Sequence, residues 1–416
     1  MTLVVDLKVV NYSGNFDSAN TLGTGYHPNH INVLDLYRHS LANTSCKLFT
    51  PSYFKEFGWD NIYRFGIATS FSHVDNIFAT DAFNRFHFLN YADHHILSSS
   101  VIKSVFQQSL GGYFFLHDLC VSHNGPERIF PNIISRLIKN PLTMDDISDK
   151  TRDNSYYVGM LFARLYAEQI FSVPFLAHVR DLKEKNAVLS NNGLEPDLVG
   201  KDLRFQWHVF EAKGATNKSY LYSGLKKAKE QLKSLASINE DTNITRSASG
   251  TLYNEKGVRT LLRDPEPTGE TTMILDHLSA ILSHYKYINL DAELPRRTDA
   301  SSTPPDFINL PYLNFLRHPF KISIHRNMLN LLREVDQVSR GYPLIPEGQN
   351  TREINSDNLS EIITNRNNRS SYLQRQYTEI ASDMNRVRGQ YFGERTGGKP
   401  SISIGLDGLC LEYLGG

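Results

Sequence analysis

Apolar side chains alternate with polar ones through Leu203, Phe205, Trp207 and Val209, and the run continues into Phe210. A period of two predicts a β-strand, and apolar residues on both sides near its end predict a strand covered on both faces. The strand finishes in Glu211-Ala212-Lys213. Just upstream, PDLVG (196–200) predicts a short strand and Gly200-Lys201-Asp202 a turn, so the two strands should form an antiparallel hairpin. Downstream, Asn217 or Ser219 is placed to cap a helix in which Leu221, Leu225, Ala228, Leu232 and Leu235 recur at helical spacing. A dense helical pattern precedes the hairpin at 155–171, SYYVGMLFARLYAEQIF. After the capped helix, ITRSASGTLY and VRTLLRDPEP predict two strands around an NEKG turn, and TTMILDHLSAILSHYKYI predicts a further helix.

The flanks are patterned differently. Within residues 1–150, LVVDLKVVNYS predicts a strand, whereas VIKSVFQQSL and RIFPNIISRLIKN predict helices. PRRTDASSTPPD (295–306) has linker composition. Beyond it, FKISIHRNMLNLLREVDQVSR and NLSEIITNRNNRSSYLQRQYTEIASDMNRVRGQYF predict helices, and SISIGLDGLCLEYLGG predicts strand. The expected organisation is an N-terminal accessory region (1–150) for substrate or partner recognition, an α/β domain (151–290), a linker (291–306) and a mostly helical region (307–416).

Composition narrows the function classes. Lys plus Arg and Asp plus Glu both number 44, so the chain has no overall electrostatic footprint for nucleic acid, although a local basic groove remains compatible with that balance. Three scattered cysteines, Cys46, Cys120 and Cys410, argue against a disulfide framework or a cysteine zinc site. Nine of the fifteen histidines fall in 1–150, including the adjacent His94 and His95, at spacings that match no metal motif. The N-terminus lacks the basic start of a signal peptide, and no apolar run approaches the roughly 18 residues of a membrane span. A soluble cytoplasmic protein without a membrane partner is the expectation.

The candidate chemistry lies in the hairpin. Side chains two apart on a strand share a side, so Glu211 and Lys213 should face one site, with the Ala212 carbonyl nearby. Asp197, fourteen positions before Glu211, should return beside them across the hairpin. Two carboxylates and a carbonyl are hard oxygen donors suited to Mg²⁺ or Mn²⁺. A charged Lys213 beside them can orient water or stabilise a developing phosphate charge.

Pro196-Asp197 … Glu211-Ala212-Lys213 resembles the signature of the PD-(D/E)XK nuclease superfamily. The resemblance covers about 151–290 and implies a restriction-endonuclease-like core, with a mixed central sheet flanked by helices. It implies catalysis by Asp197, Glu211 and Lys213, and a metal held by Asp197, Glu211 and the Ala212 carbonyl. In that family the core's first helix often supplies another acid, here Glu168; Arg164, one turn earlier, is an equally available ion-pair partner. The helix after the motif carries Lys227 and Gln231 as candidate nucleic-acid contacts. Glu195, if on the strand with Asp197, would share its face or pair elsewhere. The arginine-rich stretch 366–388 could contact nucleic acid or pair with its own acids. The implied activity is hydrolysis of DNA, with RNA not set aside, in phage defence or restriction. A protein partner or homo-oligomer would regulate it. The alternative is a nuclease-fold subunit that binds nucleic acid or assembles without cutting.

Overall fold

The structure, a computed structural model, describes residues 2–10, 27–32, 34–36, 38–39, 147–191, 195–254, 257–266, 268–286, 288, 290, 306–310, 320–344, 356–393 and 402–413. The helices expected at VIKSVFQQSL and RIFPNIISRLIKN, and the His94-His95 pair, lie outside these residues, as does all but Asp306 of the expected 295–306 linker.

A seven-stranded central sheet runs, edge to edge, β2 (His27–Asn32), β1 (Thr2–Val10), β9 (Gly257–Arg263), β8 (Ile244–Asn254), β6 (Trp207–Ala215), β5 (Leu198–Lys201) and β3 (Ala177–His178). Its polarity is mixed. β6 lies parallel to β8 and β1 parallel to β9, while every other neighbouring pair is antiparallel. Parallel neighbours need a crossover, and between β6 and β8 it contains α3 (Lys218–Ser234). Asn217 starts that helix by accepting the Ser219 N–H at 2.7 Å, and Leu221, Leu225, Ala228 and Leu232 form its buried face. The expected cap and stripe are therefore present, except that Leu235 opens the following strand β7 (Leu235–Ile238).

Helices cover both faces of the sheet. α1 (Ile147–Phe171) packs on the face of His208, Phe210 and Gly214: the Phe171 ring lies 5.2 Å from that of His208 and 5.8 Å from that of Phe210. Gly214 lets α1 approach, because a Cβ there would run into the Ser155 carbonyl. On the other face, Leu225 of α3 sits over Gly250 of β8. The chain is thus a mixed α/β protein with a mixed-polarity central sheet flanked by helices.

Three boundaries differ from the sequence reading. The turn is not at Gly200, which lies within β5, but at 202–206, where the Asp202 carboxylate accepts the N–H groups of Arg204 (2.8 Å) and Gln206 (2.9 Å). Leu203 and Phe205 therefore belong to the turn, with Phe205 exposed and at a φ of 67°, and β6 begins at Trp207. TTMIL is β10 (Thr271–Leu275), and only then does α4 (His277–His284) start, capped by Asp276. FKISIH is β12 (Phe320–His325), preceding α5 (Arg326–Gly341).

β10 joins β4 (Val188–Ser190) and β7 in a three-stranded sheet. β12 joins β11 (Phe307–Asn309), β14 (Leu409–Tyr413) and β13 (Ile402–Ile404) in an antiparallel one. α6 (Ser356–Arg369) and α7 (Ser371–Gly393) complete the expected helical stretch. The strand expected at LVVDLKVV is β1, paired with β9 some 250 positions later, and one cluster of buried apolar side chains extends from Val5 to Leu411. These contacts cross the boundaries expected at 150 and 290. Among the described residues no helix is long and apolar enough to cross a membrane.

Candidate active site

β5 is short. Its pairing with β6 runs from Lys201↔Trp207 to Leu198↔Phe210 and then stops, while β6 continues to Ala215. Asp197 stands where β5 ends and fills the gap beside β6. Its N–H donates to Glu211 Oε2 at 3.1 Å, and its Oδ2 accepts the Ala212 N–H at 2.8 Å. The Asp197 carbonyl accepts from Val179 N at 3.0 Å, so the main chain on both sides of this side chain is fixed. The N–H and C=O of one strand residue point to the same neighbour. The Ala212 carbonyl therefore lies on the side occupied by Asp197.

Lys213 completes the group. Its Nζ donates to Glu211 Oε1 at 2.5 Å and lies 3.8 Å from Asp197 Oδ2. The Lys213 stem packs beside Gly224 of α3, where an added Cβ would meet it at 3.4 Å. Glu211 is buried, whereas the side chains of Asp197 and Lys213 retain 20% and 29% of their exposure and open the group to solvent. Burial, reinforced by the nearby Asp197 charge and opposed by Lys213, lifts the Glu211 carboxyl to about 7.

Asp197, Glu211, the Ala212 carbonyl and Lys213 are thus brought together as the spacing predicted. Glu168, expected as an additional acid, is not brought to them. It lies buried in a separate cluster, accepting from Arg38 Nη2 at 2.8 Å and Arg388 Nη1 at 3.0 Å. Arg164, one turn earlier, donates to the Leu176 carbonyl at 2.7 Å. Glu195 pairs with Lys183 at 3.1 Å. Lys227 is exposed and Gln231 half-buried on α3. Of the C-terminal arginines, Arg366 is buried against Asp276 (3.1 Å) and Arg386 pairs with Asp383 on its own helix (3.6 Å).

Two neighbours of the site carried no sequence signal. His178, opposite Leu198 and one position from Asp197's partner, comes from a two-residue strand too short to show alternation. Its Nδ1 accepts the Arg180 N–H at 3.2 Å, so the proton of the neutral ring sits on Nε2, which bonds the Tyr156 hydroxyl of α1. Burial, with Arg164 and Lys286, holds His178 below its usual range despite Asp181 and Asp197.

The donor set fits a divalent cation. Asp197 and Glu211 offer carboxylate oxygens and Ala212 a carbonyl on the side of Asp197, all hard donors, and a nearby cation would favour the Glu211 carboxylate against the burial and the Asp197 charge that raise it. Among the described residues no group of three or more His, Cys, Asp or Glu side chains is assembled for a metal. Oxygen donors of this kind suit a hard ion such as Mg²⁺. No protein-family model, curated protein or solved structure matches this chain.

Proposed function

We propose that this chain is a metal-dependent nuclease of PD-(D/E)XK type, with a restriction-endonuclease-like core, that hydrolyses phosphodiester bonds in DNA. The observation that carries the reading is the interlock of Asp197 and Glu211 across a hairpin whose longer strand ends in Lys213. A helix before the hairpin and a helix after the motif strand support the reading.

In this reading Asp197, Glu211 and the Ala212 carbonyl hold Mg²⁺ or Mn²⁺. The ion, when bound, acidifies a water and neutralises charge on the phosphate. The remaining work falls to the chain. Asp197 is anchored through its own main chain, and its carboxylate is held by the Ala212 N–H. Lys213, whose Nζ lies against Glu211 and Asp197, would offer its ammonium to the attacked phosphate or to the water that attacks it. Regulation by a partner, in phage defence or restriction, extends the proposal by analogy.

The test is cleavage of supercoiled plasmid DNA with Mg²⁺ and with chelator. Wild type should cut only with the cation. Asp197→Ala, Glu211→Ala and Lys213→Ala should each lose about 10²-fold or more. Cutting by Glu211→Ala at the wild-type rate overturns the assignment. Metal-independent DNA binding without cleavage by wild type would instead mark a binding subunit.

A further inference from the structure

The nuclease reading leaves open which form of nucleic acid the site accepts, and α3 bears on this. Gly224 is the point where the helix touches Lys213. Tyr220 and Gln231 lie four and seven positions from it, and Lys227 three, so all share the flank of the helix that faces the Lys213 end of β6. The adjacent stripe, Leu221, Leu225, Ala228 and Leu232, is buried against the sheet. Nothing in the packing of the core explains Tyr220. Its ring is 77% exposed, the most open of the large apolar side chains among the described residues. It stands about 6 Å along the helix axis from Gly224.

The helix is also strongly basic. Of the five lysines in KSYLYSGLKKAKEQLKS, Lys227 is the one on this flank, while Lys218, Lys226, Lys229 and Lys233 lie on the side of Tyr222. Lys227 and Lys213 flanking an open aromatic ring beside a phosphodiester site fit a polyanion that also offers flat apolar faces. A base can stack on Tyr220 only if its own face is not covered by a neighbouring base pair. Duplex DNA does not offer such faces along its length, whereas single strands do.

We infer that the Tyr220–Gly224–Lys227–Gln231 flank guides a single-stranded or locally unpaired segment of DNA to the site. Tyr220 stacks a base and Lys227 contacts the backbone. The inference rests on the nuclease reading for the path of the strand. It is tested without cleavage, in chelator, by fluorescence anisotropy of a labelled oligothymidylate and of a mixed-sequence duplex of equal length.

Wild type should bind the single strand more tightly than the duplex. Tyr220→Ala should weaken single-strand binding about tenfold, as expected for one lost base–aromatic stack. Tyr220→Phe, which keeps the ring, should bind as wild type does. Tyr222→Ala serves as the control: that ring is 48% exposed but lies on the opposite side of the helix, with Lys218 Nζ 5.7 Å from its centroid. Unchanged binding by Tyr220→Ala, or an equal loss on single strand and duplex, overturns the inference while leaving the nuclease reading intact. Tyr220-dependent binding by a wild type that never cuts would sustain the inference and remove the nuclease reading.

Discussion

Glu211 illustrates what one buried residue contributes. Its folded-state pKa, about 7, lies above the ordinary carboxylate value, so its neutral form is the one that stabilises the fold. That contribution is complete below the unfolded value and fades as pH rises through about 7. Ligation of a cation requires the carboxylate, so binding must expel a proton below that point. Apparent Mg²⁺ affinity, read from the rise in melting temperature, should therefore increase about tenfold per pH unit up to about pH 7 and then level off. Glu211→Gln should abolish this slope. A wild-type affinity that is flat between about pH 5 and pH 7 would count against Glu211 as the ligand. At this scale the sequence was informative. The spacing of Asp197, Glu211 and Lys213 is short-range, and one hairpin brings them together. Glu168 was not legible in the same way, because its partners Arg38 and Arg388 lie 130 and 220 positions away.

Among elements, existence and type were easier to read than edges. The α3 stripe and its Asn217 cap are local signals, and the β8–β9 hairpin follows from its NEKG turn. The β6 boundary was obscured by Asp202. Its carboxylate folds a loop whose residues Leu203 and Phe205 happen to continue the alternation of the strand. Phe205 adopts positive φ there with no glycine or asparagine to mark the position. TTMIL and FKISIH read as parts of helices because these short apolar strands abut amphipathic helices without an intervening Gly or Pro.

The elements around the site also predict where it is brittle. Gly214→Ala forces a methyl group onto the Ser155 carbonyl and should cost about 1–3 kcal/mol in urea denaturation, with cleavage lost in parallel as β6 shifts. Asn217→Ala removes only a cap bond, so it should cost about 1 kcal/mol. If the glycine variant proves no more harmful than the cap variant, the close approach of α1 to β6 is not as described.

Across the whole molecule, the Arg38 cluster is the long-range fastening. Arg38 Nη1 meets both oxygens of Asp407, at 3.1 and 3.0 Å, its Nη2 meets Glu168, and its Nε donates to Ser403. His284 of α4 also approaches Asp407, at 3.6 Å. These groups are buried, so removing one leaves its partner charged and desolvated. Asp407→Ala should lower unfolding stability by about 3–5 kcal/mol. Disrupting the more exposed helix pair Asp336–Arg340 should cost only about 0.5 kcal/mol. Equal effects in chemical denaturation would show that the cluster is not a fastening. No local pattern could have announced it: Arg38, Glu168 and Asp407 sit in unrelated segments and meet only through the tertiary fold.

The same fastening sets a clock on the newborn chain. Arg38 and Asp407 are 369 positions apart. At about 5–20 residues per second, Arg38 is made on the order of 20–70 s before Asp407, the later of its two counter-ions. Over that interval the hairpin carrying Asp197, Glu211 and Lys213 is synthesised and can fold, yet the corner that ties α1 to the β13–β14 hairpin stays open. The last charge to arrive is the one that closes it.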